Sequence, residues 1–264
     1  MKNFCVFGNP IEHSISPRLH NEAFKAFGID ANYTKILLEN ADELKEYILR
    51  LKLDGANITV PYKETAFKIC DEVFGIAKKI EAVNTITRKN DKLFGFNTDA
   101  LGFLKAIQSF GKIENALILG AGGTAKAIMY ILSENKIGAE ILNRSKERIE
   151  FFKQKQIDAF CWDDYEPKKY DLIINTTSAG LRDENLPAPK ELLAEILKNA
   201  KFGFDVIYNK QTPFLKLCEE NLLLYKDGSD MLLYQALFAF NIFFDNAYDE
   251  TKIAQAMRKS LSAS

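Results

Sequence analysis

The sequence predicts an α/β protein of two domains, an open α/β first domain followed by a Rossmann-type second one. Three observations predict it. Short apolar runs alternate with amphipathic stretches of helical period over the first hundred residues, and such βαβ alternation builds a sheet covered by helices. A second series opens at residues 116–119, where a compact apolar run meets a cluster of glycines and then a helical pattern. At about 150 residues per domain, a chain of 264 residues has room for one large or two modest domains.

The elements follow in order. Residues 3–8 read as a short apolar strand that breaks at Gly8-Asn9-Pro10, and residues 20–27 as an amphipathic helix stopped by Gly28. Residues 33–38 alternate like a strand, 41–51 follow a helical period, and 55–60 form a buried strand ended by Pro61. Thr85-Ile86-Thr87, the turn Lys89-Asn90-Asp91 and a return strand over 93–96 make a hairpin, after which a helix starts near Asp99. Strand 116–119, helix 124–133 and strand 139–142 form the second βαβ unit. Residues 171–175 and 203–207 add short buried strands, which places a second domain over residues 100–233, and the tail from 234 to 264 reads as helical. The chain has no internal repeat or low-complexity linker, so the domain boundary is expected in a helix or tight loop. A ligand is expected in the cleft between the two sheets.

Composition excludes several classes. Hydrophobic residues at 47% and charged residues at 27% are globular values and rule out disordered, collagen-like and coiled-coil chains. Lys and Arg total 35 against 36 Asp and Glu, so no net positive field exists to attract nucleic acid. Gly8 and Pro10 interrupt the start before a signal-peptide core of about 7 to 15 apolar residues develops. The most apolar segment, 231–244, contains Gln235 and Asn241 and falls short of the roughly 20 residues that span a bilayer, so no membrane partner is expected. Cys5, Cys70, Cys161 and Cys218 lie far apart, and the only histidines are His13 and His20. That spacing supplies no zinc site, so no metal is expected, and buried free thiols in a reducing cytoplasm are the better reading.

Gly120-Ala121-Gly122-Gly123-Thr124-Ala125 fits the dinucleotide fingerprint G-x-G-x-x-G/A between a strand and a helix. Its glycines permit a tight turn and a close backbone approach, and the helix N-terminus stabilises a pyrophosphate. The next strand ends in Asn143-Arg144-Ser145, with Arg148 close behind. An acidic residue there would bind the ribose 2′-hydroxyl of NAD; two guanidiniums instead suit the 2′-phosphate of NADP. Asn175-Thr176-Thr177-Ser178-Ala179-Gly180 also follows an apolar strand, and its hydroxyls suit either ribose and phosphate contacts or a locally hydrogen-bonded turn.

Four segments of the first half carry polar residues beyond what a structural loop needs. Ser14 and Ser16 are hydroxyl donors just past a strand, able to hold a small anion; Ser16 could equally cap the helix that follows. Asn57-Ile58-Thr59-Val60-Pro61-Tyr62-Lys63 places a lysine beyond a buried strand, and Ala82-Val83-Asn84-Thr85 and Gly95-Phe96-Asn97-Thr98-Asp99 complete the set. An aspartate beside a lysine holds the ammonium as a proton donor toward an oxygen that gains negative charge; a surface lysine and a helix-capping aspartate are the plain alternatives.

Taken together these stretches resemble the shikimate dehydrogenase family. The matching segments are GNPIEHSISPRLHNEAF, NITVPYK, EAVNT, GFNTD with Gly102, GAGGTA, NRS with Arg148, DVIY with KQTPF, and DGSDMLLYQA. They run in order from Gly8 to Ala236. The resemblance implies an NADP-dependent oxidoreductase that interconverts 3-dehydroshikimate and shikimate in aromatic amino-acid biosynthesis, with Lys63 as general acid/base beside Asp99. It implies that Ser14, Ser16 and Tyr208 hold the substrate carboxylate and that Thr59, Asn84, Asp99 and Gln235 bind ring hydroxyls. Gly120, Ala121, Gly122, Gly123, Thr124, Ala125, Asn143, Arg144, Ser145, Arg148, Thr177, Ile207 and Gly228 fall on its NADP positions. Gln235 implies that the tail returns to the first domain, which would then comprise 1–99 with 234–264. Monomer and homodimer both fit the family. One departure is Asp230, where the family commonly has glycine. Two other readings are a broader quinate/shikimate dehydrogenase that uses NAD, and a regulatory protein that keeps the fold without turnover.

Overall fold

The computed structural model describes residues 1–262, and the chain divides into two compact units, Met1–Gly102 with Leu233–Ser264 and Phe103–Leu232. Both crossings lie inside helices, since Asp99–Ile107 (α5) and Ser229–Phe243 (α10) each run through a boundary.

In the first unit the elements are β1 (Lys2–Gly8), α1 (Ser16–Ala26), β2 (Ala31–Leu37), α2 (Leu44–Arg50), β3 (Gly55–Ile58), α3 (Lys63–Ile69), β4 (Glu72–Val73), α4 (Ile76–Ile80), β5 (Thr85–Lys89) and β6 (Lys92–Phe96). The sheet order is β2-β1-β3-β5-β6-β4. β1 pairs in parallel with β2 and β3, whereas β5 is antiparallel to both β3 and β6. The hairpin turn places Asn90 and Asp91 at φ 50° and 60°, the left-handed pair of a type I′ connection. Sequence reaches the inner strands because β1 and β3 are buried over most of their length, as strands covered by helices must be. One face packs Phe7, Leu38, Ile48, Ile58, Val83 and Ile86. On α1, Phe24 packs against Phe4 and Phe240, and His20 stacks on Tyr33 at 4.3 Å with the rings 2° from parallel.

The tail is helical over the described residues, in two segments. After α10 the chain turns through Asp245 and Asn246, both at positive φ, and resumes as α11 (Glu250–Ser262). Several expectations need correction. Residues 41–51 divide into a 3-10 turn, Ala41–Glu43, and α2. The strand expected over 55–60 stops at Ile58, and the one expected over 203–207 stops at Asp205. Ser16 does not cap α1: Ile15 holds the N-cap position, and its side chain makes no cap bond.

The second unit contains β7 (Asn115–Leu119), α6 (Gly123–Glu134), β8 (Gly138–Asn143), α7 (Lys146–Gln154), β9 (Ala159–Cys161), β10 (Leu172–Asn175), α8 (Lys190–Leu197), β11 (Phe202–Asp205), α9 (Pro213–Glu220) and β12 (Leu224–Lys226). Its sheet is parallel in the order β12-β11-β10-β7-β8-β9. This is the doubly wound order, whose reversal point lies between β7 and β10. Central β10, Leu172 to Asn175, is wholly buried, and Leu117, Leu119, Ile173, Leu193, Ile196 and Phe214 fill the core beside it. All four cysteines are free thiols. Among the described residues, no helix is long and apolar enough to cross a membrane and no group of three or more His, Cys, Asp or Glu could hold a metal ion.

Candidate active site and dinucleotide loop

In the first unit, the loops after β1 and β3 leave from the same end of neighbouring parallel strands. Ser14 lies in the first loop, half-buried, its hydroxyl accepting from the Ser16 N–H at 3.4 Å, and Ser16 is buried at the start of α1. Thr59 follows β3, its N–H still bonded to the Phe7 carbonyl at 2.9 Å. The chain then turns through Tyr62, whose hydroxyl donates to the Leu38 carbonyl, so that Lys63 becomes the first residue of α3.

Lys63 meets Asp99 there. Its Nζ lies 2.5 Å from Asp99 Oδ2, and the two side chains are only 14% and 11% exposed. Asp99 opens α5, but its carboxylate does not cap that helix, because Asn97 Oδ1 accepts from the Asp99 N–H at 3.1 Å. The carboxylate is thereby left to accept from Lys63 on one oxygen and from Asn84 Nδ2 on the other at 2.8 Å. A cation at the positive end of a helix is not what stability alone would select. Here it is partnered, mostly withdrawn from water and aimed by two strand ends, an arrangement suited to delivering a proton.

Asn84 is hydrogen-bonded through both arms of its carboxamide: it donates to Asp99 and Thr98 and accepts from the Thr98 N–H and the Thr85 hydroxyl. Lys63, Asp99, Asn84, Ser14, Ser16 and Thr59 all belong to the first unit, as does half-buried Gln235 on α10. Tyr208 belongs to the second, and burial raises its phenol above the ordinary range.

The second unit carries the glycine loop at the sheet's reversal point. Gly120 has φ +110°, and a Cβ there would meet Thr176 Oγ1 at 2.6 Å, so only glycine fits. A Cβ at Gly122 or Gly123 would meet nothing within 4 Å, so the loop presents bare backbone to open space. Gly122 is the N-cap of α6 and no side chain bonds the helix start. The first-turn N–H groups of this twelve-residue helix therefore have no side-chain cap, which fits a pyrophosphate. Ala121 and Ala125 are buried beneath the loop, and Thr124 is half-buried.

At the end of β8, Asn143 Nδ2 donates to the Ser145 carbonyl at 3.2 Å. Arg144 and Arg148 are exposed, and neither side chain is ion-paired or hydrogen-bonded among the described residues. Glu147, in the first turn of α7, accepts from the Ser145 hydroxyl at 2.6 Å, which lowers its pKa. Thr177 forms a local turn: its N–H and hydroxyl donate to Asn175 Oδ1 at 3.0 and 2.8 Å. Gly228 N–H donates to the Ile207 carbonyl at 2.9 Å, and a Cβ at Gly228 would run into the Val206 carbonyl. Asp230 places no unpaired charge beside this turn, because in the first turn of α10 it is bridged to Lys226 at 2.9 Å.

Three residues of the polar segments were marked in sequence without roles of their own. Thr85, Thr98 and Asn57 are polar residues on or next to buried strands, and that interruption of apolar runs was the available signal.

Fold and site together define a dinucleotide-binding α/β protein that carries a buried lysine–aspartate pair in its other unit. Known proteins narrow this. A family model described as the shikimate dehydrogenase substrate binding domain matches residues 6–86. The chain is 45% identical over 249 residues to the shikimate dehydrogenase (NADP(+)) of Helicobacter hepaticus, covering 94% of this chain and 92% of that protein. Among solved structures, shikimate dehydrogenase from Aquifex aeolicus superposes with a TM-score of 0.87 at 34% identity, covering 98% of each chain. The Thermus thermophilus enzyme, solved with NADP(H) and shikimate, gives 0.86 at 30% identity over 98% of this chain and all of that one. The chain belongs to the shikimate dehydrogenase family.

Proposed function

We propose that this chain reduces 3-dehydroshikimate to shikimate with NADPH, reversibly, and that Lys63 is its general acid/base. The observation that carries the reading is the Lys63–Asp99 pair, drawn together at 2.5 Å across 36 residues of sequence and largely withdrawn from solvent. NADPH, when bound, supplies the hydride. As the ring carbonyl gains negative charge, Lys63 Nζ gives that oxygen a proton, and in the oxidation direction it takes the proton back. Asp99 holds the ammonium in place and accepts from the ring hydroxyl next to it. Ser14, Ser16 and Tyr208 bind the carboxylate, and Thr59, Asn84 and Gln235 the ring hydroxyls. The bare backbone from Gly120 to Gly123 holds the pyrophosphate, with Ala121, Thr124, Ala125, Asn143, Ser145, Thr177, Ile207 and Gly228 lining the remainder. Arg144 and Arg148 take the 2′-phosphate. The free thiols suit a reducing cytoplasm.

The test crosses shikimate and quinate against NADP and NAD, following reduced-nicotinamide absorbance. Turnover concentrated on shikimate with NADP is expected. Comparable rates with quinate or NAD would move the chain to the broader-specificity class, and silence in all four combinations would remove the catalytic reading.

The cofactor preference has its own prediction. Arg144→Ala is expected to raise KM for NADP roughly ten- to a hundredfold, the worth of one charge-assisted hydrogen bond, and to leave NAD nearly unchanged. Equal losses for both cofactors would show that Arg144 does not read the phosphate.

A further inference from the structure

The Lys63–Asp99 pair is held from behind by buried hydrogen bonds that lead away through the first unit. Asn84 is their junction. Its NH2 group donates to Asp99 Oδ1 at 2.8 Å and to Thr98 Oγ1 at 3.0 Å, while its Oδ1 accepts from the Thr98 N–H and from the Thr85 hydroxyl, each at 2.8 Å. Thr85 Oγ1 accepts in turn from Asn57 Nδ2 at 2.9 Å. That same NH2 group donates to the Asn84 backbone carbonyl at 3.1 Å, and Asn57 Oδ1 accepts from the Tyr33 hydroxyl at 2.6 Å.

Polarity runs one way along this chain, from Tyr33 through Asn57, Thr85 and Asn84 to Asp99. A carboxamide has donors on one arm and an acceptor on the other. Turned over, Asn84 would set its oxygen against the Asp99 carboxylate and its NH2 against the Thr98 N–H, two repulsive contacts. The Thr85 hydroxyl adds a second demand for oxygen on the inner side. Its hydrogen is free to meet that demand because Asn57 supplies the hydrogen its lone pair accepts.

We propose that Thr85 is a positioning residue for proton transfer: its hydroxyl, oriented by Asn57, fixes the Asn84 carboxamide that holds Asp99 and, through Asp99, Lys63. This rests on Lys63 and Asp99 being the reacting pair. Thr85 is 0% exposed and opens β5, where valine would serve strand formation equally well, so shape alone does not account for the hydroxyl.

The test compares Thr85→Val, which drops the hydroxyl and keeps the shape, with Thr85→Ser, which keeps the hydroxyl. With shikimate and NADP, the valine variant is expected to lose about tenfold in kcat with KM within about threefold, and the serine variant to stay within about threefold of the parent in both. In protein labelled with 15N-asparagine, hydrogen exchange of the Asn84 side-chain amide is expected to quicken in the valine variant and not in the serine variant. Parent turnover, read first on the same preparation, separates the two readings. A silent parent overturns the proposed function and Thr85's part in it. An active parent whose valine variant keeps both kcat and slow exchange overturns the role of Thr85 alone. Equal losses in the valine and serine variants overturn it as well, since the hydroxyl would then not be what matters. If the valine variant does not fold, Thr85→Ala takes its place, and alanine turning over like serine overturns the proposal.

Discussion

Lys63→Ala is expected to lower kcat about 10²- to 10⁴-fold with a much smaller change in KM for shikimate, the pattern of a lost proton donor. Without the ammonium, the developing alkoxide must take its proton from water, in surroundings where Lys63 and Asp99 are only 14% and 11% exposed. An unstabilised oxyanion in a mostly dry site is costly, which is why the effect is placed on the transition state rather than on binding. Steady-state kinetics with shikimate and NADP make the measurement, and turnover surviving within a few-fold would remove Lys63 from the proton-transfer role.

Two local effects of this substitution on stability oppose each other. Alanine relieves a cation at the positive end of α3, yet it takes a partner from Asp99. Asp99 keeps its bond from Asn84, so its carboxylate is not left bare. A melting temperature near the parent's, alongside a large loss in kcat, would separate lost chemistry from lost structure.

What the sequence made legible was mostly local. The glycine loop, the left-handed pair at Asn90 and Asp91, and the apolar central strands depend on backbone rules that act within a few residues. The pairing of Lys63 with Asp99 does not: it needs β3, β5 and β6 to come into register so that the starts of α3 and α5 meet. The segments could be marked as polar and suspicious, but not their contact. Thr85 and Thr98 were less legible still, because threonine is an ordinary strand former and its hydroxyl leaves no periodic trace. The break after α10 escaped notice for a related reason. Asp245 and Asn246 adopt left-handed backbone with no glycine or proline to announce it.

His20 is carried by α1. It is 0% exposed, stacked on Tyr33, and neither ring nitrogen has a hydrogen-bond partner among the described residues. Burial pushes its pKa from 6.5 down to about 3. In the unfolded chain the ring takes a proton as pH falls through about 6.5, whereas the folded ring stays neutral until near 3. The unfolded state thus binds more protons in that window, and stability falls with falling pH. At about 1.4 kcal/mol per unit, the loss between pH 6.5 and 4 is roughly 3 kcal/mol, a large part of an ordinary domain's margin.

Asp205 works in the opposite direction. Burial raises its carboxyl from 3.8 to about 6, against bonds from Thr212, Asn175 and the Ile207 N–H. Between those values the folded carboxyl holds a proton that the unfolded one has released, so stability rises as pH falls from about 6 to 3.8. The depressed carboxylates Asp71 and Asp171 lose their contribution only below their ordinary 3.8. Between pH 6 and 4, therefore, His20 weakens the first unit while Asp205 strengthens the second. Hydrogen exchange followed by mass spectrometry across this range is expected to show protection falling first in the peptides around α1, β1 and β2, while β10 and β11 hold. His20→Phe keeps an aromatic stack and removes both unpartnered nitrogens, so it should flatten that dependence and stay within about 1 kcal/mol of the parent at neutral pH. A phenylalanine variant that loosens in acid as steeply as the parent would assign the sensitivity to another group.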